Sequence, residues 1–579
     1  MDDVDAVQAQ IARNMLVSGD WVTARLDGVM YLEKAPLIYW IIAVSYRFLG
    51  VHDWVARIPI ALSAILLCWL TARFGAWAFG HRAGFYAGLS LATCVGLFLF
   101  TRILIPDVML TLTVTLAMWA FLRVLEQDEP RPRAWALLLA ASLGVGLLLK
   151  GLIAVVLPAG GALVYLFVTH QLFSARAWQR LRPLSGLAVL LLIAAPWHAL
   201  ATLRNPPYFD VTMHGGPGEY RGFFWFYFIN EHVLRFLNLR YPRDYNTVPR
   251  LSFWLLNLVW LFPWSAYFPA VVQQNYRTAD RAGRARVLTL CWIGFLLVFF
   301  TFSTTQEYYS MPCYPALALL LGSALATESA WIRRSTRFLA VFAAAAAAIL
   351  AVIYFKVRGI PTPGDISNAL TQRPAETYTL ALGHLGDLTV RSFAYLRAPM
   401  VWAGLAGLLG ALGAWRLAGR RAFLAVALMM VVFFHAARLA MVVFDPYLSS
   451  RPLAEALRSA PQGQLIVDGA YYPFSSVFFY ANRQGLLWNG RVNNLEYGSF
   501  APGAPHAFID NADFEQLWFD SARCFLIADR SVIPRLERLV GRSALYRVAE
   551  SGGKLLLTNE PLRVSFEHSP RPEGGQAKW

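Results

Sequence analysis

The residues best suited to chemistry in this sequence are acids, amines and phenols far apart along the chain: Asp3 and Asp5, Tyr31, Glu33 with Lys34, Asp107, Lys150, a Glu231-His232 pair followed by Arg235, and Tyr309. Carboxylates of this kind can take a proton from a hydroxyl or steady positive charge at a sugar carbon. Lysine, arginine and a phenol can hold a phosphate. Each also has a plainer reading. Asp3 and Asp5 sit where a helix N-terminus favours negative charge, and Lys34 or Lys150 can simply snorkel from a membrane boundary. Asp107, directly after Pro106, can cap the helix it opens or pair with Arg102 one turn earlier. Tyr309 suits an interfacial aromatic belt. Glu231-His232 with Glu33 offers a divalent-metal set, although adjacent helical residues point in different directions.

The elements that must position these groups are membrane helices. The chain has 579 residues, 57% hydrophobic and 15% charged, whereas a soluble domain is nearer half apolar and a quarter charged. The net charge of +16 does not indicate nucleic acid, because the basic residues form short clusters between apolar runs, as cytoplasmic loops do. A crossing helix needs about 20 apolar residues. Twelve runs are read as spans: 56–80, 83–105, 107–127, 133–151, 152–170, 183–200, 252–272, 286–302, 313–330, 337–357, 400–417 and 421–444. Every second loop is basic: His81-Arg82; Arg131 and Arg133; Arg176, Arg180 and Arg182; Arg277, Arg281, Arg284 and Arg286; Arg333, Arg334 and Arg337; Arg420 and Arg421. That set belongs to the cytoplasm, and both chain ends then lie outside. The arginines alone set this topology, yet it gathers Asp3, Asp5, Glu33, Lys34, Asp107, Lys150, His232 and Tyr309 on one side.

Residues 1–55 form the first external segment, where Val7, Ile11 and Met15 share one helical face, so this helix is expected to lie along the membrane surface. Residues 56–446 form the transmembrane part. From 447 to 565, short apolar runs at 464–467, 476–480, 524–528 and 554–557 and helical stretches near 452–459 and 513–518 predict a small external α/β domain. Residues 566–579, rich in Pro, Gly and charge, are expected to be disordered. Cys68, Cys94, Cys291, Cys313 and Cys524 are odd in number and form no CxxC pair, so they read as apolar packers. Nothing apolar precedes Asp2-Asp3-Val4-Asp5, and an external N-terminus is expected to need a preceding membrane helix.

In order along the chain, GDWV (19–22), YLEKAPLIYW (31–40), IPD (105–107), LLKG (148–151), PWH (196–198), EHVLRF (231–236) and STTQEYYSMPCYPALALL (303–320) resemble the protein O-mannosyltransferase superfamily. Within it the likeness is to bacterial aminoarabinose transferases and their relatives, with SSVFFY (475–480) and NGRVNNLEYGS (489–499) as a looser echo. The resemblance implies a GT-C fold, with about 12 transmembrane helices here and the family's first helix missing, followed by an extracytoplasmic α/β domain. It implies an undecaprenyl-phosphate-linked sugar donor, no nucleotide sugar, and transfer outside the cytoplasm with inversion. Family members carry an acidic pair before a helix ending Arg-x-Met-Leu. Arg13-Asn14-Met15-Leu16 matches that ending, and the pair falls on Val4-Asp5 in a gapless register or on Asp2-Asp3 after a small shift. By this resemblance Asp5, Asp3 and Asp107 are the catalytic acids, Lys34 and Tyr309 hold the donor phosphate, and Tyr31 and Glu33 form the cavity wall. Lys150 and Arg235 are further phosphate-binding cations.

The expected activity moves a sugar, 4-amino-4-deoxy-L-arabinose among the candidates, from undecaprenyl phosphate to lipid A or another envelope acceptor. No cofactor is required, with a divalent metal on Glu33 and His232 as the alternative. The expected location is the bacterial inner membrane, multi-pass, with the active site and C-terminal domain periplasmic. Two rivals accompany this reading: an O-mannosyltransferase-like enzyme using a polyprenyl-phosphate hexose, and a lipid or sugar flippase. A flippase would show sequence repeats and midplane charges; the sequence has neither.

Overall fold

The computed structural model describes residues 1–243, 247–371 and 386–562; the expected disordered tail, 566–579, lies outside them. Eight described helices are long and apolar enough to cross a membrane, or nine if Arg250–Trp260 and Trp264–Val272, bent by 94°, count as one crossing. The chain is a multi-pass membrane protein. Its first eight helices are α1 (Asp3–Ser18), α2 (Leu37–Leu49), α3 (Asp53–Phe79), α4 (His81–Ala92), α5 (Val95–Phe100), α6 (Asp107–Leu125), α7 (Pro132–Lys150) and α8 (Ile153–Val168).

Not all twelve expected spans are realised. The run 83–105 divides at Thr93-Cys94 into α4 and α5, and the Val95 N–H donates instead to the Phe262 carbonyl at 3.1 Å. The run 152–170 yields only the 16-residue α8. The run 313–330 yields a 12-residue helix, Tyr314–Leu325, which ends five residues early, with a 3₁₀ stretch, Glu307–Cys313, leading into it. At 252–272 the chain turns at Pro263, which has no N–H to continue a helix. Hydropathy counts apolar residues and is blind to these breaks. Where helices do pair, small residues let them approach. A Cβ on Gly84 would lie 2.4 Å from the Ala72 carbonyl oxygen of α3, so α3 and α4 meet backbone to backbone.

α6 gives the bundle its polarity. Its 19 residues span about 28 Å. Asp107 opens one end. Just beyond the other, Arg284 donates to Glu126 at 2.7 Å and Arg180 to the Val124 carbonyl at 2.6 Å, with Arg281 on Asp128 and Arg123 on Glu129. Arginines assigned to one side by sequence therefore gather opposite the acids and amines assigned to the other.

α1 does not rest on a lipid surface as expected. It is buried on several faces, Gln8 and Gln10 included, because α2 covers one side and the helix Ser475–Ala481 another. Asp2 caps it, accepting from the Asp5 N–H at 2.8 Å, and Gly19 closes it at φ 72°. The run 476–480, expected among the extended segments, is helical for the same reason: Val477, Phe478 and Phe479 are consecutive and all buried, which suits a helix between two layers.

Beside a short hairpin of β1 (Arg25–Leu26) and β2 (Val29–Met30), the C-terminal region builds one six-stranded sheet. Its strands are β3 (Gln464–Asp468), β4 (Leu486–Trp488), β5 (Phe508–Ile509), β6 (Cys524–Asp529), β7 (Tyr546–Ser551) and β8 (Lys554–Thr558), in the order β5-β4-β3-β6-β8-β7. The first four are mutually parallel and the last two antiparallel. Lys554 at the start of β8 reaches Asp3 at 2.7 Å, while Asp3 also accepts from Ser450 Oγ at 3.1 Å and the Ser476 N–H at 2.9 Å. Replacing Asp3 with Asn leaves Lys554 without its counter-charge, and unmet buried groups cost about 1–3 kcal/mol. Asp3→Asn is expected to speed limited proteolysis of the C-terminal domain in the otherwise intact chain; an unchanged cleavage rate would show that this bracket does not hold the domain down.

Candidate active site

One cavity of about 430 Å³ brings together Glu33, Lys34, Asp107, Lys150, His232, Arg235 and Tyr309. Its lining also includes the apolar Leu110, Val156, Leu157, Phe236, Leu237 and Phe299. Val156 and Leu237 are also exposed at the bundle surface, so part of the apolar lining opens to the outside of the helices.

Asp107 is the first residue of α6, directly after the N-cap Pro106, and is 1% exposed. The expected partner Arg102 is turned away, over the Phe98 ring, because it lies in the turn before Pro106. Lys150, the last residue of α7, pairs with Asp107 instead. Its ammonium also lies 5.0 and 4.8 Å from the ring centroids of Tyr308 and Tyr309. The next residue must be glycine. Gly151 has φ +70°, and a Cβ there would stand 2.2 Å from His232 Nε2. The turn it makes lets the Leu152 N–H donate to that nitrogen at 3.0 Å.

His232 comes from a π-helical stretch, Trp225–Leu234, whose wider turn is often found at functional sites, and Arg235 follows it directly. Since Nε2 accepts from Leu152, Nδ1 carries the proton and donates to the Tyr227 carbonyl. Burial lowers the His232 pKa, which suits this neutral form. Glu231 faces away from His232: Arg240 binds it, and Arg235 donates to it at 2.8 Å. Glu33 lies against the same cations, 3.9 Å from Arg235 and 3.7 Å from Arg240, and pairs with Lys34. Tyr31 stands behind, donating to Glu33 at 3.1 Å and touching the Tyr472 hydroxyl at 2.9 Å. Burial pushes the Glu33 carboxyl up, but Lys34, Arg240 and Arg235 outweigh it and hold it at about 2. Arg235 also donates to the Tyr309 hydroxyl at 3.2 Å.

The two N-terminal acids stand outside this cavity. Asp3 is committed to Lys554 and the serines described above. Asp5, 1% exposed, accepts from the Leu104 N–H at 2.6 Å and from Arg57. It thereby braces the turn that leads to Asp107. Burial, then the nearby Asp2, pushes its carboxyl up to about 7 against the pull of Arg57. Between the usual 3.8 and about 7, the folded chain holds a proton that the unfolded chain lacks, so stability falls as pH climbs through that window. Asp5→Asn is expected to flatten that slope in melting temperature measured from pH 4 to 7; an equal slope in both proteins would refute it.

The metal alternative finds no support in this geometry. Both His232 nitrogens are taken by backbone groups, Glu33 is wrapped in cations, and among the described residues no three His, Cys, Asp or Glu side chains gather as a metal site. Four residues of the site escaped sequence reasoning: Tyr227, whose buried hydroxyl has no protein partner, Glu231 as an ion-pair acceptor, Arg240 and Tyr308. Tyr308 could have been found through its neighbour Tyr309. Arg240 lies in a loop without a periodic signal.

A mostly helical bundle with a cavity lined by cations and apolar side chains, followed by a sheet domain, has the fold of the GT-C membrane glycosyltransferases. Residues 33–199 match the family described as dolichyl-phosphate-mannose-protein mannosyltransferase. It is similar to ArnT from Cupriavidus metallidurans, in a crystal structure with undecaprenyl phosphate, with a TM-score of 0.77 and 23% identity over 98% of this chain and 95% of that one. Among curated relatives, the undecaprenyl phosphate-alpha-4-amino-4-deoxy-L-arabinose arabinosyl transferase of Aeromonas salmonicida is 29% identical over 54% of each chain. A like-named transferase of Pseudomonas fluorescens is 29% identical over 68% of this chain and 65% of its own. The matched stretch thus spans between about half and two thirds of these relatives' length.

Proposed function

We propose that this protein transfers a sugar, 4-amino-4-deoxy-L-arabinose, from undecaprenyl phosphate to lipid A or another envelope acceptor on the periplasmic side of a bacterial inner membrane. The observation that carries the reading is the convergence of Lys34, Lys150 and Arg235, from three distant segments, in one cavity otherwise lined largely by apolar side chains, some of which reach the bundle surface. That is the shape of a phosphate on a hydrocarbon tail. The names of the related transferases support the same donor.

In the reaction an acceptor oxygen attacks the anomeric carbon from the face opposite the phosphate. The carbon–oxygen bond to the phosphate breaks, its electron pair leaves with undecaprenyl phosphate, and the configuration inverts. Lys34, Arg235 and the Tyr309 hydroxyl stabilise the charge gathering on the departing phosphate. Asp107 takes the proton of a hydroxyl acceptor. An acceptor phosphate is already nucleophilic and needs only to be positioned, with Asp107 and Lys150 as its orienting pair. The chain's own residues carry each step and no cofactor is required.

A flippase would expose charged groups to both sides in turn, whereas here the acids and amines occupy one end. The test incubates purified protein with radiolabelled undecaprenyl-phosphate aminoarabinose or hexose and with lipid A. Label is expected to pass from the aminoarabinose donor to lipid A. Transfer from the hexose donor alone would replace the sugar in this reading, and no transfer by folded protein from either donor would end it.

A further inference from the structure

Three arginines outside the cavity form a second group on the same end of the bundle. Arg57, near the start of α3, donates to the carbonyl of Arg102 in the turn between α5 and α6. The Arg102 guanidinium lies over the Phe98 ring, 4.5 Å from its centroid. Phe98 stacks flat on Phe434 at 4.2 Å. Phe434 belongs to the helix Arg420–Leu448, and Arg438 follows four residues later on the same face. Two stacked rings thus tie three arginine-bearing segments into one patch.

The positive charge of this patch is incompletely answered. Arg57 pairs with Asp5. Among the described residues Arg102 and Arg438 have no ion-pair partner, although both are exposed. Asp445, two turns beyond Arg438, makes no ion pair with it. Burial first, then the charges of Arg57 and Arg438, lowers the pKa of Arg102. Like charges on neighbouring segments disfavour one another, and a bound anion offsets that repulsion.

The level of the patch says which anion. Arg438 stands about 27 Å along its helix from Arg420, which is close to the far edge of a hydrocarbon layer about 30 Å thick. Exposed Trp54 precedes Arg57 by one turn, and exposed Trp402 packs edge-on against His435, one turn before Arg438. Tryptophans at this height mark the headgroup zone. Guanidinium forks match phosphate oxygens two at a time, and basic pockets between membrane helices hold lipid headgroups.

We infer that Arg102 and Arg438, backed by Arg57, form a binding site for the phosphate of a membrane-lipid headgroup, separate from the cavity. The site does not depend on the sugar-transfer reading. It does touch the same framework: Leu104, two residues after Arg102, donates to Asp5, so a bound headgroup also steadies the turn leading to Asp107.

The test counts lipids retained by the purified full chain in detergent, using native mass spectrometry after titration with phosphatidic acid, phosphatidylcholine or inorganic phosphate. Wild-type protein is expected to retain phosphatidic acid over phosphatidylcholine. Arg102→Gln with Arg438→Gln should weaken retention roughly tenfold or more, and Arg102→Lys with Arg438→Lys, which keeps the charge but loses the fork, should fall between the Gln pair and wild type. Inorganic phosphate binding as tightly as the lipid would overturn the lipid assignment. Equal retention by the Gln pair and wild type, or no preference for phosphatidic acid in wild type, would overturn the site itself; the second result needs no variant to fold.

Discussion

Asp107→Asn protein, folded and still able to bind undecaprenyl phosphate, is expected to turn over roughly 10²- to 10³-fold more slowly than wild type, the range for removing one preorganised charged group from a buried site. The substitution keeps the shape but cancels the charge facing Lys150. Asp107 is almost wholly enclosed, so bulk water cannot stand in for it. Lys34, Arg235 and Tyr309 remain to hold the donor phosphate, so the loss should appear in kcat and leave KM for the lipid donor little changed. Lys150→Met in the same background separates two explanations. If Asp107 acts only by anchoring Lys150, the double variant should be no slower than the single one; if it meets the acceptor, Lys150→Met alone should retain more activity than Asp107→Asn. Whole-cell lipid A mass spectrometry gives an independent readout, and undiminished modification by Asp107→Asn cells would remove Asp107 from the reaction.

Arg240→Met is expected to cost about 3–5 kcal/mol of stability, the usual penalty for removing one partner from a buried ion pair. Arg240 is 3% exposed. It binds Glu231 and approaches Glu33 at 3.7 Å, so its loss leaves two enclosed carboxylates sharing Arg235 and Lys34. Those cations would then be drawn from the cavity, and donor binding should weaken with stability. Glu231→Gln added to Arg240→Met removes one unanswered charge and should restore part of the melting temperature. No recovery in the double variant would show that Arg240 acts through packing instead of charge. The low pKa of Glu33, about 2, bears on the same experiment. Its carboxylate is held ionised in the fold, so its contribution is present above the usual 4.5 and fades as pH falls through that value toward about 2.

Eight of the ten site residues named from sequence line the cavity or support its wall from immediately behind. They were legible because arginine-rich loops fix which end of each helix is which, so Glu33-Lys34, Asp107, Lys150 and the 231–235 stretch fall together without any knowledge of packing. Tyr309 followed the same logic. What sequence could not show was which neighbour each charge meets. Arg102 lies a turn from Asp107 along the chain yet faces Phe98, because Pro106 and the end of α5 reorient the backbone between them. Asp3 looked like a reacting acid beside Asp5, but its partner is Lys554, in a strand at the other end of the sequence. Asp5 itself braces the Leu104 turn without lining the cavity. Helix count suffered for a similar reason. Breaks at Thr93-Cys94 and Pro263, and the early end of the helix at Leu325, shorten runs that composition presents as continuous.

The bond between Asp3 and Lys554 also has a timing. Its partners are 551 positions apart, and at the usual pace of synthesis about half a minute to two minutes separates their emergence. Throughout that interval α2, Arg57 and Leu104 already hold α1, but Asp3 lacks its counter-charge. The last bond to the first helix therefore waits for the C-terminal sheet, and chains cut short before Lys554 would carry Asp3 without it.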